Sequence, residues 1–187
     1  MLTRLCNIYY RLLGIALRFF LRICGCRAGR GLKCKSWPLF RQIPHGNMVI
    51  GDHVTIGWRI AFDICPDAVL RIGNRVNLTQ DIVLGAAKHI EIGDDSLLAE
   101  FVSLRDNDHG LGADQCIARQ EPVSEPIVIG RDVWIAAGAR VLRGGRIADG
   151  CVIAANAVFT RKTESVDYGI YGGIPARCLG SRTGRKF

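Results

Sequence analysis

Ile129-Gly130-Arg131-Asp132-Val133-Trp134-Ile135-Ala136-Ala137-Gly138-Ala139-Arg140 states one six-residue phrase twice: an aliphatic residue, a small or polar one, two loose positions, a small or β-branched residue, and one more. Reading outward, the phrase returns downstream as Ile147-Ala148-Asp149-Gly150-Cys151-Val152 and Ile153-Ala154-Ala155-Asn156-Ala157-Val158. Upstream it begins at Ile50, Ile56, Ile72 and Ile92, each time as Ile-Gly. A short fixed period of this kind identifies stacked coils. Six residues make one short strand and one corner, so three hexads close a triangular coil. Ile129 and Ile147 are one such coil apart, whereas the step from Ile72 to Ile92 carries two extra corner residues. The inward aliphatic residues of successive coils bury one continuous column, each coil touching only its neighbours. An ordinary sandwich of short strands would not repeat Ile-Gly-(Asp/Asn/Arg) in register.

These hexads resemble those of the hexapeptide-repeat acyltransferases. The resemblance runs from about Gly31 to Gly180 and is most specific from Ile127 onward, where Ile129-Gly130-Arg131-Asp132-Val133-Trp134-Ile135 leads to Gly173-Ile174-Pro175-Ala176-Arg177. It implies an all-β fold, a left-handed parallel β-helix; the handedness comes from the family, since parallel crossovers are right-handed almost everywhere else. The expected organisation is an amphipathic basic helix over 1–29, a β-helix over 30–162 interrupted by a protruding loop over 105–126, and a C-terminal segment, 163–187, completing a groove for CoA. Among the family's members the likeness is greatest to the sugar and surface-polysaccharide O-acetyltransferases.

With 187 residues, 49% of them apolar, the chain holds one domain with a substantial core and has no room for a second catalytic domain. Its net charge of +8 is unevenly placed. Residues 1–51 carry nine Lys or Arg and no acid, and residues 175–187 carry four and no acid, so the stretch between them is acidic. An acidic body argues against a nucleic-acid partner, which requires a basic folded face. Membrane phosphates and the phosphates of CoA suit the basic ends better. The eight cysteines are scattered, with Cys65, Cys151 and Cys178 in or near positions that favour small buried residues, which points to reduced thiols rather than a disulfide framework. Cys24, Cys26 and Cys34 lack a C-x-x-C pair and a nearby His, so no metal site is expected.

From Leu2 to Ile23 the chain is apolar apart from Thr3, Arg4, Asn7, Arg11, Arg18 and Arg22. At about 100° per residue all of these but Thr3 fall within roughly 60° of one another, one narrow polar stripe on a greasy helix. Arg11 and Arg18 break the uninterrupted apolar run of a secretory signal. Arg11 would also sit near the centre of a spanning helix at a cost of about 2.5–3.5 kcal/mol, so lying in the interface of an anionic membrane is cheaper. Packing on the chain's own or a neighbouring subunit's β-helix is the competing reading. The expected location is cytoplasmic, peripheral at the inner face of the cell membrane.

The repeat loses register after Leu104 and regains it at Ile127, and a loop on a rigid scaffold is where function concentrates. Near its start stands Arg105-Asp106-Asn107-Asp108-His109. Acyl transfer from a thioester to a hydroxyl needs a base with a pKa near neutrality, and His supplies it without a large shift. The resemblance gives His109 that role, with Asp106 or Asp108 orienting the imidazole. It also implies acceptor binding at Asp81, where the family has Asn; an aromatic CoA contact at Trp134; close approach of pantetheine at Ala137 and Ala155; and a polar, basic end of the groove at Thr160, Arg161, Lys162 and Arg177. The β-helical carbonic anhydrases place two His five residues apart on one coil, a pair missing here, so no metal is implied.

The sequence therefore points to an acetyl-CoA-dependent O-acetyltransferase acting by direct transfer on a sugar or lipid-linked saccharide, assembled as a homotrimer. An N-acetyltransferase for an amino sugar or serine-type acceptor, and a non-catalytic β-helical scaffold, are the alternatives.

Overall fold

The computed structural model describes residues 2–184. Arg185 and Lys186 of the basic C-terminal run lie outside them. One helix, α1 (Leu2–Ile23), precedes a column of short strands arranged in three parallel sheets. The first sheet runs from Arg27–Ala28 through Met48–Ile50, Val69–Ile72, His89–Ile92 and Ile127–Ile129 to Arg146–Ile147. The second starts at Lys33–Cys34 and includes Trp134–Ile135 and Val152–Ile153; the third starts at Leu39–Phe40 and ends at Val158–Phe159. The chain visits the sheets in rotation, so every coil has a first corner between sheets one and two, a second between two and three, and a third leading back to one.

Register makes the column. Met48, Leu70, Ile90 and Ile127 stack in the first sheet, Ile56, Leu78, Leu98, Ile135 and Ile153 in the second, and Phe62, Leu84, Leu104, Val141 and Phe159 in the third. All are buried. The polar residue after Ile-Gly has a defined job at the first corner. Side-chain oxygens of Asp52, Asn74 and Asp94 accept the backbone N–H of Arg30, Asp52 and Asn74 respectively, each one coil earlier, at 2.8–2.9 Å, and Asp149 does the same for Arg131. This ladder explains the glycine before it: a Cβ on Gly73 would stand 2.4 Å from Asp94 Oδ1. Left-handed backbone, rare for residues with a Cβ, recurs in register at His53, Arg75, Asp95 and Asp132 on the first corner and at Arg59, Asp81, Phe101 and Asn156 on the second.

The two ends differ from the expected boundaries. The first coil starts at Arg27 rather than residue 30, and α1 lies across its open end, where Gly14 comes so close that a Cβ would meet the Leu32 carbonyl at 2.0 Å. Leu17 and Leu21 enter the core, and Phe20 packs on Trp37 and Phe40. At the other end Gly169–Gly172 adds one more parallel strand to the second sheet, and Arg177–Ser181 folds back on it antiparallel. The C-terminal segment thus closes the column. The eight cysteines are free; Cys34 and Cys151 are buried, which pushes both thiols up to about 11. Cys178, expected among small buried positions, is exposed instead, on the strand that folds back.

Candidate active site

The excursion at residues 105–126 leaves the column at a third corner, between Ser103–Arg105 of the third sheet and Ile127–Ile129 of the first. It opens as a small antiparallel pair, Asn107 opposite Ser124 and Asp108 opposite Val123, and carries one 3₁₀ turn at Ile117–Arg119. Its root is held by charge. The Arg143 side chain, largely covered, donates from Nε to Asp108 at 2.8 Å and lies 3.5 Å from Glu125, which also faces Arg161 at 3.6 Å.

Both carboxylates expected beside His109 are engaged elsewhere. Asp106 is fully buried, and its two oxygens accept the backbone N–H groups of Ala87, Lys88 and His89 at 2.6–2.8 Å. It closes the third corner of the preceding coil, which corrects its reading as an orienting residue. Asp108 holds Arg143. His109 itself is exposed on the loop.

Asp81, the expected acceptor-binding residue, also has a partner within the column. It stands on a second corner, away from the loop, and its carboxylate is bidentate with Arg59 of the coil before. Hydrogen bonds from that guanidinium hold it below the usual carboxylate range.

Beside the loop, on the third corner of the last coils, a cavity of about 480 Å³ is lined by Asp108, Arg143, Thr160, Arg161, Lys162 and Arg177, among others. Asp108 brings the wall to the residue next to His109. Arg143 and Arg161 are ion-paired, but among the described residues neither Lys162 nor Arg177 meets a carboxylate. Two free cations and the Thr160 and Thr163 hydroxyls therefore face a space able to take an anion. Arg143 was not singled out from the sequence; its offset of eighteen residues from Arg161, one coil, is the signal that places both on one corner.

The remaining residues expected in one CoA groove are spread over the column. Ala137 and Ala155 stack on the second corner, joined by the Asn156 N–H donating to the Ala137 carbonyl at 2.8 Å. Trp134, 47% exposed, lies on the second sheet, in a shallow cavity with Asp95, Asp132 and Arg182. One chain does not bring them to Thr160, Arg161 and Arg177. Among the described residues no group of three His, Cys, Asp or Glu side chains is gathered as a metal site.

No family model matches the chain. In sequence it is 34% identical over 156 residues to a protein of Mycobacterium tuberculosis described as a probable acetyltransferase, covering 82% of this chain and 49% of that one. The chain thus spans about half the length of that relative. It is 24% identical to a protein assigned to O-acetyl transfer in lipopolysaccharide biosynthesis in Escherichia coli, over 72% of this chain and 71% of the other. In fold it matches an N-acyltransferase from Bacillus cereus, solved as a mutant with dTDP and coenzyme A, at a TM-score of 0.71 and 16% identity over 87% of each chain. A hexapeptide-repeat acetyltransferase from Vibrio cholerae, solved with acetyl coenzyme A, matches at a TM-score of 0.61 and 24% identity, over 98% of this chain and 85% of that one.

Proposed function

We propose that this chain is a hexapeptide-repeat acyltransferase that transfers the acetyl group of acetyl-CoA to a sugar hydroxyl in the synthesis of a surface polysaccharide. The observation that carries this reading is the third-corner cavity, where Lys162 and Arg177 stand without carboxylate partners beside the loop bearing His109. CoA is the anionic donor that those cations suit, and the E. coli relative's assignment favours oxygen as the acceptor atom.

In this mechanism His109 removes the proton of the acceptor hydroxyl as its oxygen attacks the thioester carbonyl. The new C–O bond forms, the C–S bond breaks, and the proton passes to the departing thiolate of CoA. Nothing becomes covalently attached to the protein. Backbone amides of the loop near His109 would be the donors to the developing oxyanion. Lys162, Arg177 and the Thr160 hydroxyl hold phosphate oxygens, fixing the donor without taking part in bond making.

The scatter of the other residues supports a trimer in which each transfer uses two subunits. His109 and Lys162 occupy the third corner, with Arg177 reaching the same cavity from the returning strand, while Ala137 and Ala155 occupy the second corner and Trp134 lies farther up the second sheet. A second copy is the simplest source of the missing side.

The test is thiol release from acetyl-CoA with a panel of sugars and amino sugars. His109→Ala should lower turnover by about 10²–10⁴-fold, the usual contribution of a general base, with fold and CoA affinity retained. Lys162→Ala and Arg177→Ala should each raise the KM for acetyl-CoA by roughly three- to tenfold and leave the acceptor KM alone. A His109→Ala enzyme within about threefold of wild type would remove the proposed base. Transfer to amino sugars alone would identify an N-acetyltransferase, and no release with any acceptor would favour a scaffold.

A further inference from the structure

The helix α1 has two apolar faces, and the column uses only one. Leu17 and Leu21 are buried in the core, each 1% exposed. On the opposite side Leu5, Ile8, Leu12, Ile15, Phe19 and Ile23 are 54–70% exposed at spacings of three and four residues. A continuous stripe of large aliphatic and aromatic side chains on a surface helix marks a docking surface. Among the described residues no helix is long and apolar enough to cross a membrane.

What borders the stripe decides what it meets. Arg4, Arg11, Arg18 and Arg22 line one edge, between the exposed stripe and the face packed on the first coil. Beyond them the first coil presents Arg27, Arg30 and Lys33, all exposed. Of these seven only Arg30 is ion-paired among the described residues, with Asp52. Between the helix edge and the coil a groove of about 520 Å³ is lined by Arg11, Ile15, Arg18, Lys33 and His53. Apolar stripe, cationic border and basic groove thus follow one another within the width of a helix.

A second copy of this helix is a poor occupant. Antiparallel pairing, stripe to stripe, would bring the arginine edges together, and residues 1–51 contain no acid to separate them. A bilayer of anionic phospholipid satisfies both parts at once, its acyl region taking the stripe and its phosphates the border. We propose that α1 docks this protein on an anionic membrane surface, lying in the interface with a lipid phosphate seated in the groove between Arg11, Arg18 and Lys33.

The experiment uses the full chain with vesicles of phosphatidylglycerol and phosphatidylcholine, against phosphatidylcholine alone, read by co-sedimentation. Wild type should sediment with the anionic vesicles, and raised salt should weaken this binding. Leu12→Asp with Phe19→Asp, both at exposed positions, should lower the bound fraction by roughly tenfold or more, as should Arg11→Glu with Lys33→Glu. Acetyl transfer to a soluble acceptor should be unchanged in both. Phe19→Trp gives a second, milder readout: its emission should shift to shorter wavelength on anionic vesicles and be quenched by brominated acyl chains. Equal binding to both vesicle types, or no response of Phe19→Trp, overturns the proposal. So does a loss of subunit association in Leu12→Asp with Phe19→Asp while vesicle binding persists, which would make the stripe a contact between copies.

Discussion

Asp106 and Asp108 are two residues apart in one acidic stretch, yet the fold gives them different work. Asp106 takes three backbone amides of the preceding coil and Asp108 takes one guanidinium on the surface. Asp106→Ala strands amide donors at a partly covered corner and should cost about 1–3 kcal/mol, read as a lower thermal midpoint. Asp106→Asn should recover part of this, and Asp108→Asn should cost well under half as much. If Asp108→Asn is the more damaging to stability, the assignment of the corner is wrong. The sequence offered both residues as partners of His109 because both lie within reach along the chain. What separates them is vertical: an offset of 17–19 residues lays Ala87–His89 over Asp106. Arg59 and Asp81 teach the same lesson, since they hold equivalent hexad positions one coil apart and neutralise each other. Reading the chain modulo its coil length would have shown Arg59 as the partner of Asp81.

Among the elements, the strands were the most legible and the helix the least. The hexads told where each strand starts and which residues turn inward, because period and burial are one fact in a solenoid. The helix was read correctly as amphipathic, but apolar residues cover most of its circumference, and composition did not reveal which of its sides meets the column. Gly14, the point of closest approach, was the one local clue. The corner ladder makes a prediction about acid. Backbone and side-chain hydrogen bonds from Asn74 hold Asp94 below the usual carboxylate range, the Arg30 N–H does so for Asp52, and Arg75 does so for Asp95. Their folded pKa values lie below the unfolded one, so the unfolded chain binds more protons in acid. The stability they contribute is complete above roughly pH 5, beyond the unfolded Asp pKa of about 3.9, and is lost as pH falls through the lower folded values. Asp94→Asn keeps the Oδ1 acceptor, as Asn74 itself does, but cannot titrate. Its thermal midpoint should therefore fall less than that of wild type between neutral and acid pH; an equal fall would show that the ladder carboxylate does not contribute.

For the whole molecule, the column and its interruption were visible in the repeat, whereas the sharing-out of candidate residues among three corners was not. Apart from the one that carries the excursion, coils here advance by 22, 20 or 18 residues, as the pairs Arg59–Asp81, Arg75–Asp95 and Arg131–Asp149 record. Small differences in corner length accumulate, and they decide which edge a residue reaches. The proposed trimer can be tested on that division. His109→Ala, lacking its base, and Trp134→Ala, weakened for acetyl-CoA, should together regain activity at low acetyl-CoA when co-expressed, because about a quarter of the interfaces in random mixtures would pair an intact His109 with an intact Trp134 from the neighbouring copy. Absence of any recovery from mixed assemblies would mean that both residues serve a site within one chain, or that Trp134 serves none.

The helix laid over the first coil has one more consequence. A parallel stack ends in strands whose backbone donors and acceptors face along the axis, a template on which another chain can continue the pattern. At the far end the returning strand Arg177–Ser181 runs antiparallel and so cannot pass the pattern on. At the near end it is α1, leaning on Leu32 through Gly14, that covers the template. The helix that turns its apolar stripe outward is therefore also a stopper, guarding the column against growth by addition of like coils into a fibre.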